Sequence, residues 1–351
     1  MDDKIVIGLQ EDRTGNESYS EKWKEYIEER GHQFQEVDLF AEDALEQSKQ
    51  CDGIMWRWLH NPSHKQSAKV ILYSIEKYLN IPVYPNSDTS WHYDEKISQY
   101  YLLRALDVPI PQTWLFWDRV SALKWAESAQ YPLISKLSSG AGSSNVIMIK
   151  SYNEAIDLIN KAFKNGIFPY TMNEFRKSKG IPKSVSQVKT LFSRIPDSMR
   201  YLFASTYPPL HPTWWKPEYG YVYFQEFLQN NQFDTRITVI GERAFGYRRM
   251  NRPNDFRASG SGNFDTNPEL IDQECIELAF NISNKGNFQC MAYDFLNKDS
   301  KPVLIELSYT FVDWMVHCCP GHWNPNLEWK EGHMWPEEAQ VEDFIASISK
   351  N

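Results

Sequence analysis

Two carboxylates stand inside apolar strand-like runs in the last sixth of the sequence. Asp294 lies in Ala292-Tyr293-Asp294-Phe295-Leu296, and Glu306 in Leu304-Ile305-Glu306-Leu307. A carboxylate in such a run is too costly to bury alone and needs a cation or a hydrogen-bonding partner. Two of them on neighbouring strands offer the hard oxygen ligands that magnesium takes together with phosphate oxygens and water. The spacing suits structural salt bridges to Arg248, Arg249 or a lysine equally well, and the sequence leaves both readings open.

A cationic cluster precedes them: Arg248, Arg249, Arg252 and Arg257, the last just before Ala258-Ser259-Gly260-Ser261-Gly262. Crowded arginines beside glycines suit an anionic substrate or a transferring phosphoryl group, through bidentate contacts and backbone donors. Arg248, Arg252 and Arg257 are therefore the candidate catalytic clamp. Lys136 ends the apolar run Pro132-Leu133-Ile134-Ser135 directly before Ser138-Ser139-Gly140-Ala141-Gly142-Ser143-Ser144. An ammonium there reaches a phosphate, and small residues let backbone N–H groups approach a polyphosphate. The bland alternatives are a solvated arginine loop and a plain turn between strands.

The elements that must position these groups read as follows. Ile5-Val6-Ile7-Gly8-Leu9, an amphipathic stretch over 19–30, and a glycine stop at Gly31 predict a strand followed by a helix. A strand over 53–58, a helix over 67–79 and a short strand ended by Pro85 continue the alternation, which implies a mostly parallel sheet. From Asp94 a helix with Ile97, Tyr101, Leu102, Ala105 and Leu106 on one side opens a new subdomain, with strands over 113–117, 133–137 and 146–150. Residues 164–220 fit neither period and are rich in Pro, Ser, Lys and aromatics, notably Tyr207-Pro208-Pro209 and Trp214-Trp215-Lys216-Pro217. They read as an insertion, either a surface excursion or a lid or substrate platform. Strands return over 221–227, 235–241, 244–250, 290–296 and 303–308, with a helix over 269–283 and a terminal helix over 336–349. The expected division is 1–90, 91–163, 164–220 and 221–351.

Composition bounds the partners. The chain has 351 residues, 42% hydrophobic, enough for two or three units, and its net charge of −9 argues against general binding to nucleic acid or anionic lipid. The start lacks the apolar segment of a signal peptide and no run is long enough to span a membrane, so a cytoplasmic protein is expected. Five cysteines, an odd number sparsely placed, suit free thiols better than a disulfide framework. His317, Cys318, Cys319 and His322 cluster, but their spacing matches none of the usual paired zinc patterns.

Taken in order, these motifs resemble the ATP-grasp family over about residues 82–312, in the branch of the ribosomal-protein glutamate ligases. That resemblance implies an α/β and α+β architecture: two α+β subdomains clasping ATP, preceded by an open α/β domain. Tyr93-Asp94-Glu95-Lys96 looks like the segment whose lysine contacts ATP phosphate, and Lys136 with Ser138, Ser139, Gly140, Gly142 and Ser143 like the second lysine and the loop closing over the nucleotide. Gln225-Glu226-Phe227-Leu228 resembles the hinge that holds the adenine edge, Asp234 the acidic position near the ribose, and Asp255-Phe256-Arg257 the phosphoryl-stabilising arginine. Asp294, Glu306 and Ser308 take the places of the magnesium ligands, Ser308 standing where asparagine is commonest.

The implied activity is ATP-dependent ligation of a carboxylate to an amine, or to a thiol, through an acyl phosphate. The alternatives are a kinase of polyol or sugar hydroxyls, and a non-catalytic ATP-binding regulatory module. ATP and Mg2+ are the implied cofactors and small-molecule carboxylates and amines the implied partners. Gly321-His322-Trp323 and Leu327-Glu328-Trp329 also resemble a bacterial subgroup linked to surface-polysaccharide synthesis, which extends the candidates to sugar-linked substrates. The oligomeric state is open, a homodimer included.

Overall fold

The computed structural model describes residues 4–12, 18–59, 62–140, 145–169 and 217–349. They belong to two compact units, one within 1–60, 64–113 and 226–351, the other within 61–63 and 114–225. The expectations for Gly142, Ser143 and the aromatic runs of 207–217 rest on positions that, Pro217 apart, lie outside the described residues.

The first unit opens with β1 (Val6–Leu9), α1 (Tyr19–Glu29), β2 (Gln33–Glu36), α2 (Ala44–Ser48) and β3 (Gly53–Met55). Next come α3 (Pro62–Ser74), extended by a π-helical turn Ile75–Leu79, then β4 (Val83–Tyr84), α4 (Ser87–Ser90) and α5 (Lys96–Ala105). Asn80 ends the π turn in the left-handed region at φ 56°, where Asn is tolerated better than most side chains. The strands form an all-parallel sheet in the order β2-β1-β3-β4, as the alternation predicts. Helix α1 buries Tyr19, Trp23 and Ile27, spaced four apart and so on one face.

The second unit contains β5 (Thr113–Phe116), α6 (Arg119–Ala126), β6 (Leu133–Lys136), β7 (Val146–Ile149), α7 (Tyr152–Lys164) and β8 (Val222–Glu226). Its four-stranded sheet has the order β5-β8-β6-β7. Small residues Ala122, Ala126, Ala155 and Ala162 let α6 and α7 approach Leu133, Ile149 and Phe224 in a separate apolar core. A bridge between Ile167 and Glu218 pairs the backbone on either side of residues 170–216.

The chain returns to the first unit through β9 (Phe233–Ile240), β10 (Arg243–Met250), β11 (Phe264–Asp265), α8 (Gln273–Gly286), β12 (Cys290–Lys298) and β13 (Lys301–Ser308). It finishes with α9 (Asp313–His317), β14 (Gly321–Trp323), β15 (Trp329–Glu331) and α10 (Pro336–Ile348). Among the described residues these strands form a sheet of order β13-β12-β9-β10-β14-β15, with β11 on β10. Helix α8 starts four residues later than the pattern suggested, because Pro268–Leu270 forms a 3-10 turn and the Asp272 side chain caps the helix at Glu274 N–H.

One apolar core runs from the parallel sheet to the antiparallel one, taking in Ile7, Trp23, Ile54, Ile237, Phe245, Tyr293 and Phe344. The terminal helix is part of it: Trp23 Nε1 donates to Gln340 Oε1 at 2.9 Å. Each large side chain fully withdrawn from water contributes about 1.5–3 kcal/mol, so α10 fastens α1 to the antiparallel sheet.

Candidate active site

Register brings the charged residues of four strands together. Asp234 on β9 faces Arg249 on β10; Arg236 on β9 faces Asp294 on β12; Asp294 faces Glu306 on β13. Side chains alternate along a strand, so 234 and 236, or 306 and 308, share one face of the sheet. Arg236 grips Asp294 with two parallel bonds, Nε to Oδ1 at 2.6 Å and Nη2 to Oδ2 at 2.7 Å. Arg249 does the same to Asp234, at 2.7 and 2.6 Å, and its Nη2 also donates to Asp294 Oδ2 at 2.7 Å. Burial pushes the Asp294 carboxyl upward, but Arg236 and Arg249 outweigh it and hold the group at about 2. Asp234 moves the other way, raised by burial against the attraction of Arg249, so Asp294 is the firmly ionised member.

Helix α5 adds the third cation. Lys96, its first residue, points Nζ at Glu306 Oε1 from 3.5 Å, and one turn on Gln99 Nε2 donates to the Leu307 carbonyl at 2.9 Å, fastening α5 to β13. Three carboxylates (Asp234, Asp294, Glu306) thus stand with three cations (Arg236, Arg249, Lys96).

Several expectations change. Asp234, expected near a ribose, is buried and accepts from Arg249 at both its oxygens, which makes it a member of the ion-pair network. Arg248 is not part of the clamp: one residue from Arg249, it projects from the opposite face and lies over the Phe233 ring at 4.3 Å. The salt-bridge alternative for Asp294 holds through Arg249, and through Arg236, which sequence reading passed over. Strand parity puts Asp234 and Arg236 on one face, and the β9–β12 register then places Asp294 beside Arg236.

Arg257 pairs with Asp255, Nη2 to Oδ2 at 2.6 Å, and Arg252 Nε donates to the Ser259 carbonyl at 2.8 Å, so both arginines fold this loop on itself. Ser308 shares the face of Glu306 but donates its hydroxyl to the Thr310 carbonyl at 2.8 Å. At the expected hinge, Glu226 N–H donates to the Gln112 carbonyl at 2.8 Å and its carboxylate pairs with Lys298 at 2.7 Å. Glu226, Phe227 and Leu228 line an open cleft of ≈ 770 Å³ with Asn231, Asn297 and Ser300, a volume in the usual range of small-molecule sites. Gln225 is buried and contacts the Tyr223 hydroxyl at 3.3 Å.

In the second unit Lys136 closes β6, buried and opposite Val146. The amides that follow have a partner already: Ser138 N–H donates to Glu218 Oε2 at 2.8 Å and Ser139 N–H to Oε1 at 3.1 Å. Gly140 sits at φ +126°, and a Cβ there would meet the Asn145 side chain at 2.2 Å, so this position requires glycine.

Among the described residues no group of three or more His, Cys, Asp or Glu could hold a metal by itself. All five cysteines are free thiols, and the His317 ring stacks on Trp335 at 4.0 Å between centroids. No described helix is long and apolar enough to cross a membrane. The carboxylate face does fit a magnesium ion shared with phosphates. The Glu306 side chain is 31% exposed, and Asp294 Oδ1 accepts one N–H, keeping a lone pair for a metal. With three charges of each sign already balanced, a bare dication gains little there, whereas one carried by a polyphosphate brings its own anions.

No family profile matches the chain, and no curated protein matches its sequence. Solved structures match almost end to end. The ATP-grasp ligase PsnB, complexed with minimal precursor, is 14% identical with a TM-score of 0.57, over 99% of this chain and 100% of that one. D-alanine–D-alanine ligase from Bacillus anthracis is 12% identical at a TM-score of 0.55, over 99% and 97%. A RimK domain ATP-grasp protein from Sphaerobacter thermophilus is 12% identical at 0.53, over 97% and 99%. With an open parallel sheet leading into a four-stranded and an antiparallel sheet, and these structures alike over nearly its whole length, the chain has the ATP-grasp fold.

Proposed function

We propose that the protein is an ATP-dependent ligase that activates a small-molecule carboxylate as an acyl phosphate and passes it to an amine or thiol, releasing ADP and phosphate. One observation carries the reading: Asp294, Glu306 and Lys96 meet on one face of the antiparallel sheet. That is a carboxylate pair for a metal with an ammonium for phosphate, and it contains no protein nucleophile. The neighbouring structures include D-alanine–D-alanine ligase and N5-carboxyaminoimidazole synthase from Aspergillus clavatus, which supports ligation over other uses of the fold.

ATP bound with magnesium supplies the phosphoryl group and the charge that offsets it. The chain's own residues position and neutralise. Lys96 and Lys136 hold phosphate oxygens. Glu306 and Asp294 would hold the metal, with Ser308 beside Glu306 on the same face. Arg236 and Arg249 keep Asp294 ionised and fixed in direction. The backbone of Gln225, Glu226, Phe227 and Leu228 holds the adenine edge. Arg257 exchanges Asp255 for the substrate carboxylate, and Arg252 supports the loop through Ser259. Sugar-linked acids and amines belong among the substrates to try.

Screening ADP release against amino acids, uronic acids and polyols, each with and without amines, tests the reading. Release that requires an acid, with an amide formed when an amine is present, is the expected result. Release driven by polyols alone, with phosphate retained on the product, makes the protein a kinase and overturns it.

A further inference from the structure

The Glu218 carboxylate is bound as a ligand is bound. Its Oε2 accepts the Ser138 N–H at 2.8 Å and the Tyr221 hydroxyl; its Oε1 accepts the Ser139 N–H at 3.1 Å and the Ser139 hydroxyl. Four neutral donors converge on two oxygens, which is the full acceptor capacity of a carboxylate. The Tyr221 hydroxyl stays a donor, because burial and the Glu218 charge beside it both oppose its ionisation. Two successive backbone N–H groups with hydroxyls alongside form the kind of concavity that binds phosphate.

The turn that carries Ser138 and Ser139 is also held by contacts other than Glu218. Asn145 Nδ2 donates to the Ser139 carbonyl at 2.7 Å, Leu137 N–H to the Asn145 carbonyl at 3.2 Å, and Gly140 takes the positive φ that turns the chain. These contacts shape the turn from its other side. Glu218 is held independently, by the paired backbone bonds with Ile167 at 2.8 and 2.9 Å.

We propose that Ser138, Ser139 and Tyr221 form an oxyanion site for a phosphate of the bound nucleotide, and that Glu218 fills it as an internal competitor. Tyr221 is thereby a phosphate-binding residue, and Glu218 sets the affinity for nucleotide. This inference rests on the nucleotide reading of the turn, and its test separates the two. Removing the carboxylate's charge leaves the donors in place and relieves a phosphate of displacing it.

Calorimetric titration of the full chain with MgATP, and separately with magnesium and inorganic triphosphate, compares wild type with Glu218→Gln and Glu218→Ala. Both variants are expected to bind both ligands about tenfold tighter, the loss of one charge-assisted contact from the competing state. Tighter triphosphate without any ATP binding keeps the oxyanion site and sinks the nucleotide reading. Unchanged or weaker affinity for both ligands overturns the proposal. So does failure of both variants to fold, which makes Glu218 a brace of the turn.

Discussion

The antiparallel sheet and the serine turn each hold a carboxylate, Asp294 buried and Glu218 half-buried, and they do so with different partners. On the sheet, Asp294 is met by two guanidiniums fixed by strand register. In the turn, Glu218 is met by backbone amides and hydroxyls. A buried ion pair is costly to break because the survivor is left charged and desolvated, while neutral donors can pass from one anion to another at little cost. The sheet is therefore built to stay as it is and the turn to exchange its ligand.

The largest effect expected is chemical. Glu306→Gln keeps the shape of the side chain but weakens the metal contact, and ADP release should fall at least ~1,000-fold with the unfolding transition unmoved. Normal turnover would remove Glu306 from the site. Lys136→Ala should likewise abolish release in a folded protein.

Next is the rigidity of the sheet. Arg249→Met strands Asp234, takes one of three guanidinium bonds from Asp294, and should destabilise the protein by about 3–5 kcal/mol in urea unfolding. A cost below about 1 kcal/mol would mean that the ion pairs are not what fixes the face, and the contrast with the turn would collapse.

Acid should act on the same network. Asp294 is held at about 2, below the ordinary carboxylate value of 3.8, so the unfolded chain takes up its proton first as pH falls. The stability this group contributes is complete above about pH 5 and is lost towards pH 2, about 2 kcal/mol in all. Urea midpoints measured from pH 6 to pH 2 check it, and Asp294→Asn should flatten that part of the profile. The smallest effect expected is at Ser308. Its hydroxyl is turned to Thr310, so Ser308→Asn should lower the magnesium concentration for half-maximal turnover by only about threefold. A far larger gain would make Ser308 a true defect of the metal site.

How much of this was legible followed from periodicity. The parallel opening sheet and the strands carrying Asp294 and Glu306 could be read because buried strands and amphipathic helices leave apolar patterns of period 2 and 3.6. Lys96 and Glu306 are 210 residues apart in sequence and meet only through tertiary packing, so a family resemblance, and not spacing, pointed to them together. Arg248 was misassigned because a one-residue step along a strand reverses the face, and choosing between two adjacent arginines needs the register. Glu218 was invisible: three of its four donors come from Ser138 and Ser139, about 80 residues away, and an acid beside Pro217 in an irregular stretch carries no pattern of its own.

The central claim is that phosphate leaves ATP by way of the substrate's carboxylate. It is tested most directly by supplying an acid found to support ADP release with 18O in its carboxyl group and analysing the released phosphate by mass spectrometry. The account predicts one labelled oxygen in the phosphate for each ADP formed. Phosphate free of label while ADP is released would contradict it.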